Sequence, residues 1–93
     1  MSRLRSYGMN WILIVSKSSR KFLKRTSKEE AQRISAALQE LSVNPYAGDI
    51  EKLEGSENNW RRRVGSYRIF YEIEIARRII NITAIKRRTS KTY

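Results

Sequence analysis

The chain has 93 residues, 40% of them apolar, which suits one small globular domain with a single modest core. Its 20 Lys and Arg against 9 Asp and Glu give a net charge of +11, which favours nucleic acid or an acidic protein as partner over an anionic membrane surface. Because cysteine and histidine are absent, disulfides, a thiolate nucleophile and the usual general base are excluded. The acids are scattered, so we expect no metal site and no cofactor.

The first eight residues are polar and basic and show no periodicity, which predicts a flexible extension over residues 1–8 and one domain over residues 9–93. The longest apolar run covers residues 11–15 and is too short for a signal segment or a membrane span. We therefore expect a cytoplasmic protein. The same run predicts a strand that is buried on both faces.

A short helix is predicted over residues 20–25, capped by Ser18 or Ser19, with its apolar pair facing the core. A longer helix is predicted to open at the capping box formed by Ser27 and Glu30. This helix is expected to run to about Val43, before Pro45. Its apolar stripe is predicted to contain Ala31, Ile34, Leu38 and Leu41, with Ala37 beside it.

A loop is predicted over residues 46–59, followed by three strands over residues 60–64, 67–75 and 79–86. In the middle strand, apolar and polar side chains alternate, which predicts one buried face and one solvent face. The element order is then β-α-α-β-β-β. This order predicts an α+β fold, a helical hairpin packed on a small, mostly antiparallel four-stranded sheet.

Basic residues dominate the last third, where residues 61–93 hold ten of the twenty Lys and Arg but only two acids. Arg61 and Arg63 are two apart in a predicted strand and so leave the same face. Arg68 lies across the turn, and Arg87 ends the last strand. We expect sheet twist to bring these four into one concave patch that holds a phosphate and stabilises its transition-state charge. The alternative is a solvated basic face.

Tyr93 is the last residue, and its phenol is a candidate base for RNA chemistry. A phenol normally titrates near pH ~10, and neighbouring guanidinium groups favour the phenolate. The terminal carboxylate of the same residue opposes that effect. The alternative is a frayed end without a catalytic role.

Further candidates are aromatic and helical. Trp60, Tyr67, Phe70 and Tyr71 can stack on bases, although core packing is the favoured alternative for Tyr67 and Tyr71. Basic side chains outside the arginine patch can grip RNA or ribosome, and the alternative is an ordinary charged surface. These are Arg20, Lys21, Lys24, Arg25, Lys28, Arg33, Lys86 and Arg88.

One motif joins these residues. It runs Leu53-x-Gly55, then Trp60-Arg61-x-Arg63-Val64-Gly65-x-Tyr67-Arg68-Ile69-x-Tyr71, then Ile82-x-Ala84-Ile85-Lys86-Arg87-Arg88, and ends at Tyr93. With this motif the chain resembles the RelE toxins of the RelE/ParE superfamily. The resemblance covers about residues 9–93, which is nearly the whole chain. That superfamily contains ribosome-dependent mRNA endonucleases and DNA gyrase inhibitors, and the central stretch alone does not choose between them.

The ends of the motif favour the nuclease. By this resemblance, Arg61, Arg63 and Arg68 hold and neutralise the phosphate, and Arg87 acts near the leaving 5′-oxygen. Tyr93, six residues beyond Arg87, orients or deprotonates the 2′-OH of mRNA in the ribosomal A site. The expected products are a 2′,3′-cyclic phosphate and a 5′-OH. The family often has lysine where this chain has Arg61 and Arg63, and since arginine keeps its proton, only electrostatic stabilisation is expected from them.

The resemblance also implies partners, namely mRNA, ribosomal RNA and an acidic RelB-like antitoxin. Such an antitoxin is expected to fold on binding and to cover Arg61, Arg63 or Arg87. The toxin–antitoxin complex is expected to bind operator DNA mainly through the antitoxin. Two alternatives remain, a ParE-like inhibitor of DNA gyrase and a non-catalytic nucleic-acid-binding module.

Overall fold

The computed structural model describes residues 11–88, so the predicted extension over residues 1–8 and the phenol of Tyr93 lie outside the described residues. Seven elements follow one another along the chain. They are β1 (Ile12–Val15), α1 (Lys17–Arg25), α2 (Lys28–Val43), β2 (Ile50–Lys52), β3 (Asn59–Val64), β4 (Tyr67–Glu74) and β5 (Ile79–Arg87).

The strands form one sheet in the order β1-β5-β4-β3-β2, in which β1 is parallel to β5 and all other neighbours are antiparallel. The predicted α+β class is confirmed, but the sheet has five strands rather than four. The missing strand, β2, lies inside the predicted loop. It has three residues and too little apolar alternation to be recognised without its partner β3.

Strand β1 is not buried on both faces, as its apolar run predicted. It is an edge strand, and the side chains of Ile12 and Ile14 are 56% and 47% exposed. Leu13 and Val15 pack against the core on the opposite face. The prediction failed because both helices pack on one face of the sheet and leave the other face open.

Both helices begin at serine caps. The Ser27 hydroxyl accepts a hydrogen bond from the Glu30 N–H at 3.2 Å, which confirms the predicted cap of α2. Helix α1 begins earlier than predicted, because its cap is Ser16, which accepts from the Ser19 N–H at 3.1 Å. Ser19 is instead completely buried.

The core lies between α2 and the sheet. Within the described chain, the buried stripe of α2 consists of Ile34, Ala37, Leu38 and Leu41. It faces Tyr67, Ile69, Tyr71 and Ile73, which are the alternate residues predicted for the buried face of β4. We call the helix-covered side of the sheet the inner face and the other side the open face.

A β-bulge in β5 changes which of its residues reach the open face. Phe70 lies opposite Ala84, whereas the next residue, Tyr71, lies opposite Ile82, so Thr83 is an extra residue. The Thr83 hydroxyl donates to the carbonyl of Phe70 at 3.2 Å. Beyond the bulge, the buried side chain of Ile85 keeps its place in the core.

Candidate functional site

Four basic side chains meet on the open face at one end of the sheet. In the register, Arg63 lies opposite Arg68, and Arg68 lies opposite Lys86. Arg61 lies two residues before Arg63 on the same face. We call Arg61, Arg63, Arg68 and Lys86 the open-face cluster. Its three guanidinium groups suit bidentate contacts with phosphate oxygens.

Two carboxylates on the neighbouring edge of the sheet contact this cluster. Glu51 of β2 lies opposite Arg61, and its Oε1 accepts a hydrogen bond from the Arg61 guanidinium. Asp49, two residues earlier, lies 3.8 Å from Arg63 Nε, and its carbonyl accepts from the Arg63 N–H at 2.9 Å. The two acids therefore repeat the spacing of the two arginines and pair with them.

Arg62 points the opposite way, to the inner face. Its guanidinium donates to Glu40 of α2 at 2.7 Å and to the carbonyl of Ala47 at 3.2 Å. Only 11% of its side chain is exposed, and Nε is buried without a hydrogen-bond partner among the described residues. Arg62 thus ties α2, the following loop and β3 together, and it is separated from the open-face cluster by the sheet.

Arg87 does not join the cluster, so the prediction of one patch of four arginines is wrong for this residue. Arg87 lies opposite Tyr67, whose ring belongs to the core, and its guanidinium carbon is 5.9 Å from the centre of that ring. The bulge at Thr83 gives the open-face position to Lys86 instead.

Arg87 lines a cleft of about 500 Å³ on the inner face, at the same end of the sheet. Arg25, from the last turn of α1, lines it too, together with the start of α2 and the β3–β4 turn. The full lining is Phe22, Arg25, Thr26, Ser27, Glu30, Ser66, Tyr67 and Arg87. Positive charge therefore reaches around the end of the sheet from the open face to the inner face.

The other basic candidates are spread over the surface. The six on the helices, namely Arg20, Lys21, Lys24, Arg25, Lys28 and Arg33, all have exposed side chains. Arg20 donates to the carbonyl of Val15 at 2.7 Å, so it also holds the end of β1. Arg33 lies beside the β3–β4 turn, since its guanidinium would be 3.3 Å from a Cβ at Gly65. Of the helical candidates, Arg25 and Arg33 are thus placed near the basic end of the sheet.

The aromatic candidates separate by face. Tyr67 and Tyr71 are buried in the core, and Trp60 packs partly against it with Tyr46 at a ring distance of 5.5 Å. Phe70 lies on the open face, where Lys86 Nζ is 5.5 Å from its ring centre. Phe70 is therefore the aromatic candidate placed beside the cluster.

The described chain ends at this basic end of the sheet. The N–H of Arg88 donates to the carbonyl of Ser66 in the β3–β4 turn at 2.5 Å. Across residues 11–88, no group of three His, Cys, Asp or Glu side chains is arranged to hold a metal ion. No helix in that range has the length and hydrophobicity to cross a bilayer.

Comparison with known proteins agrees with this fold. The archaeal RelE in the RelE–RelB complex from Pyrococcus horikoshii OT3 is 26% identical, with a TM-score of 0.79 over 89% of this chain and 100% of that one. RelE of the RelB–RelE complex from Methanococcus jannaschii is also 26% identical, with a TM-score of 0.65 over 80% and 88%. The isolated E. coli RelE toxin shares the fold at 13% identity, with a TM-score of 0.77 over 88% of each chain.

No curated protein sequence matches the chain significantly. A family model does match residues 13–91, and it describes the ParE toxin of the type II toxin–antitoxin system parDE. This match covers most of the chain, from the second residue of β1 to beyond the end of β5. The chain therefore belongs to the ParE toxin family of the RelE/ParE superfamily and is a toxin of a type II toxin–antitoxin system.

Proposed function

We propose that this toxin is a ribosome-dependent endoribonuclease that cleaves mRNA in the ribosomal A site. The observation that carries the proposal is the open-face cluster, in which three arginines and a lysine share one uncovered end of the sheet. A scissile phosphate gains negative charge in its transition state, and pre-positioned guanidinium groups stabilise that charge.

In the proposed reaction, the ribose 2′-oxygen attacks the phosphorus, and the bond to the 5′-oxygen breaks. The products are a 2′,3′-cyclic phosphate and a 5′-OH, because the leaving 5′-oxygen takes up a proton from solvent water. Arg61, Arg63 and Arg68 neutralise the phosphate, while Tyr93 accepts the 2′-OH proton. Arginines do not serve as the base because they keep their protons. Arg87 lies on the inner face at the same end of the sheet, and the proposed phosphate site does not include it.

The proposed role of Tyr93 rests on the family resemblance, since Tyr93 lies outside the described residues. The chain has no histidine to complete an acid–base pair. We propose that ribosomal RNA orients the substrate and supplies the rest of the environment.

The proposed partners are mRNA, ribosomal RNA and an acidic RelB-like antitoxin, and the proposed site of action is the cytoplasm. The RelE proteins from P. horikoshii and M. jannaschii are seen in complex with RelB. An acidic segment that folds over Arg61, Arg63 or Arg87 would neutralise part of the +11 charge. Operator DNA is proposed to bind through the toxin–antitoxin complex.

Primer extension on a defined mRNA, with and without ribosomes, tests the proposal. Cuts are expected within codons and only when ribosomes are present. Arg68→Ala should lower the cleavage rate about 10²- to 10³-fold, since it removes one donor to the developing charge. Arg77→Ala is the matched control, because Arg77 is exposed and pairs with Glu74 at the other end of β4. Equal rates for the two variants would contradict the proposed site.

The family match favours a second candidate, inhibition of DNA gyrase, because the matching model describes ParE toxins. A supercoiling assay with purified toxin separates the two candidates. Inhibition of supercoiling, together with no ribosome-dependent cuts, would replace the nuclease by the gyrase inhibitor.

A further inference from the structure

The basic residues at the open end of the sheet differ in whether they have an acidic partner. Arg61 pairs with Glu51, and Arg63 pairs with Asp49. Among the described residues, no ion pair joins a carboxylate to Arg68 or Lys86, and Lys86 lies instead over the ring of Phe70. The cluster therefore has a compensated half on β3 and an uncompensated half on β4 and β5.

We infer that Asp49 and Glu51 occupy the phosphate-binding groups of Arg63 and Arg61 in the free toxin, so that an RNA phosphate must displace them. This inference rests on the proposed function. A carboxylate and a phosphate bind a guanidinium through the same planar edge. Glu51 already accepts a hydrogen bond from Nη2 of Arg61. Asp49 Oδ2 lies 3.8 Å from Nε of Arg63, which is an ion pair without a hydrogen bond.

The pairs are suited to exchange because both carboxylates are at the surface. The side chains of Asp49 and Glu51 are 69% and 65% exposed, so they return to water without a burial penalty. The backbone nevertheless keeps them in place, through the β2–β3 register and the bond from the Arg63 N–H to the Asp49 carbonyl. An exposed ion pair of this kind lowers the affinity of a competing phosphate by about 2- to 5-fold.

Displacement of the carboxylates should also change how strongly RNA binding depends on salt concentration. Each single-stranded phosphate that is neutralised releases cations and contributes about 0.7 to the slope of log K against log salt. In the wild type, each displaced carboxylate takes cations up again and cancels part of this release. The double variant Asp49→Asn with Glu51→Gln should therefore have a slope steeper by about 1.

The test is fluorescence anisotropy of a short labelled single-stranded RNA without ribosomes, at several salt concentrations. The matched control is Glu54→Gln with Glu57→Gln, which adds the same charge in the adjacent loop. Asp49→Asn with Glu51→Gln should bind about 4- to 25-fold tighter than this control, because it removes two such pairs. That gain should vanish when Arg61→Ala and Arg63→Ala are added. Thermal melting checks that each variant is folded.

The possible results distinguish a failure of this inference from a failure of the proposed phosphate site. If the control gains as much affinity and slope, the two carboxylates act only through net charge, and the inference is overturned. If Arg61→Ala with Arg63→Ala binds RNA as tightly as the wild type, the proposed phosphate site itself fails. A ribosome assay then reports whether cleavage persists without these arginines.

Discussion

Replacing Gly48 by alanine should destabilise the toxin far more than an ordinary glycine substitution. Gly48 has a φ of +84°, and an added Cβ would lie 2.5 Å from Nε and 2.7 Å from Nη1 of Arg62. The guanidinium cannot simply move aside, because it is bonded to Ala47 and Glu40 and is mostly buried. The glycine therefore makes room for the buried arginine.

The cost has two parts. A non-glycine residue in the left-handed region costs about 1 to 2 kcal/mol. Displacing the guanidinium of Arg62 breaks its bond to the carbonyl of Ala47, and a buried polar group without its partner costs about 1 to 3 kcal/mol. The ion pair with Glu40 adds less than about 1 kcal/mol, since that carboxylate is 59% exposed. Gly48→Ala should thus lower the free energy of unfolding by about 2 to 5 kcal/mol.

Gly55→Ala is the matched control. Its φ is +78°, but no atom lies within 4 Å of an added Cβ, so only the backbone cost of about 1 to 2 kcal/mol is expected. Urea unfolding followed by tryptophan fluorescence measures both variants. In an Arg62→Ala background, Gly48→Ala should cost no more than Gly55→Ala. Equal costs for the two glycines in the wild-type background would refute the reasoning.

Two further predictions concern the inner face. Burial raises the pKa of Tyr71 to about 12, and the positive charge of Arg62 partly opposes this rise. Between about pH 10 and 12 the phenol is therefore ionised in the unfolded chain but neutral in the folded protein. Stability should therefore fall from about pH 10 to 12, and the fall should be smaller in Tyr71→Phe, which also loses the 2.8 Å bond to the Pro45 carbonyl. Urea unfolding across this pH range measures both effects, and parallel pH profiles would contradict the assignment. Ser27→Ala should cost about 1 kcal/mol in the same assay because it removes the cap of α2, and an unchanged midpoint would argue against that cap.

The features that sequence analysis predicted well are local. The residues of β4 predict its two faces, because every second side chain is apolar and the side chains between them are charged except at Phe70. The stripe of α2 and the cap at Ser27 likewise depend on residues three or four positions apart. These patterns were sufficient for the α+β class and for the hairpin that places Arg63 opposite Arg68.

The candidate site was predicted less completely, because its remaining parts depend on pairing between distant segments. Asp49 and Glu51 have the same spacing as Arg61 and Arg63, but that match has meaning only once β2 is aligned with β3. Strand β2 is too short to be recognised from its own residues. The acidic partners of the cluster were therefore missed, although their spacing was visible in the sequence.

The sequence determines which basic side chains the protein has, whereas the folded sheet determines the face on which each of them lies. If β5 were regular, the inward alternation of Ile80 and Ile82 would continue and carry Arg87 to the open face. The extra residue at Thr83 exchanges the faces of Lys86 and Arg87. A bulge is set by the fit of β5 against β4 and by core packing around Ile85, and no single segment contains that information.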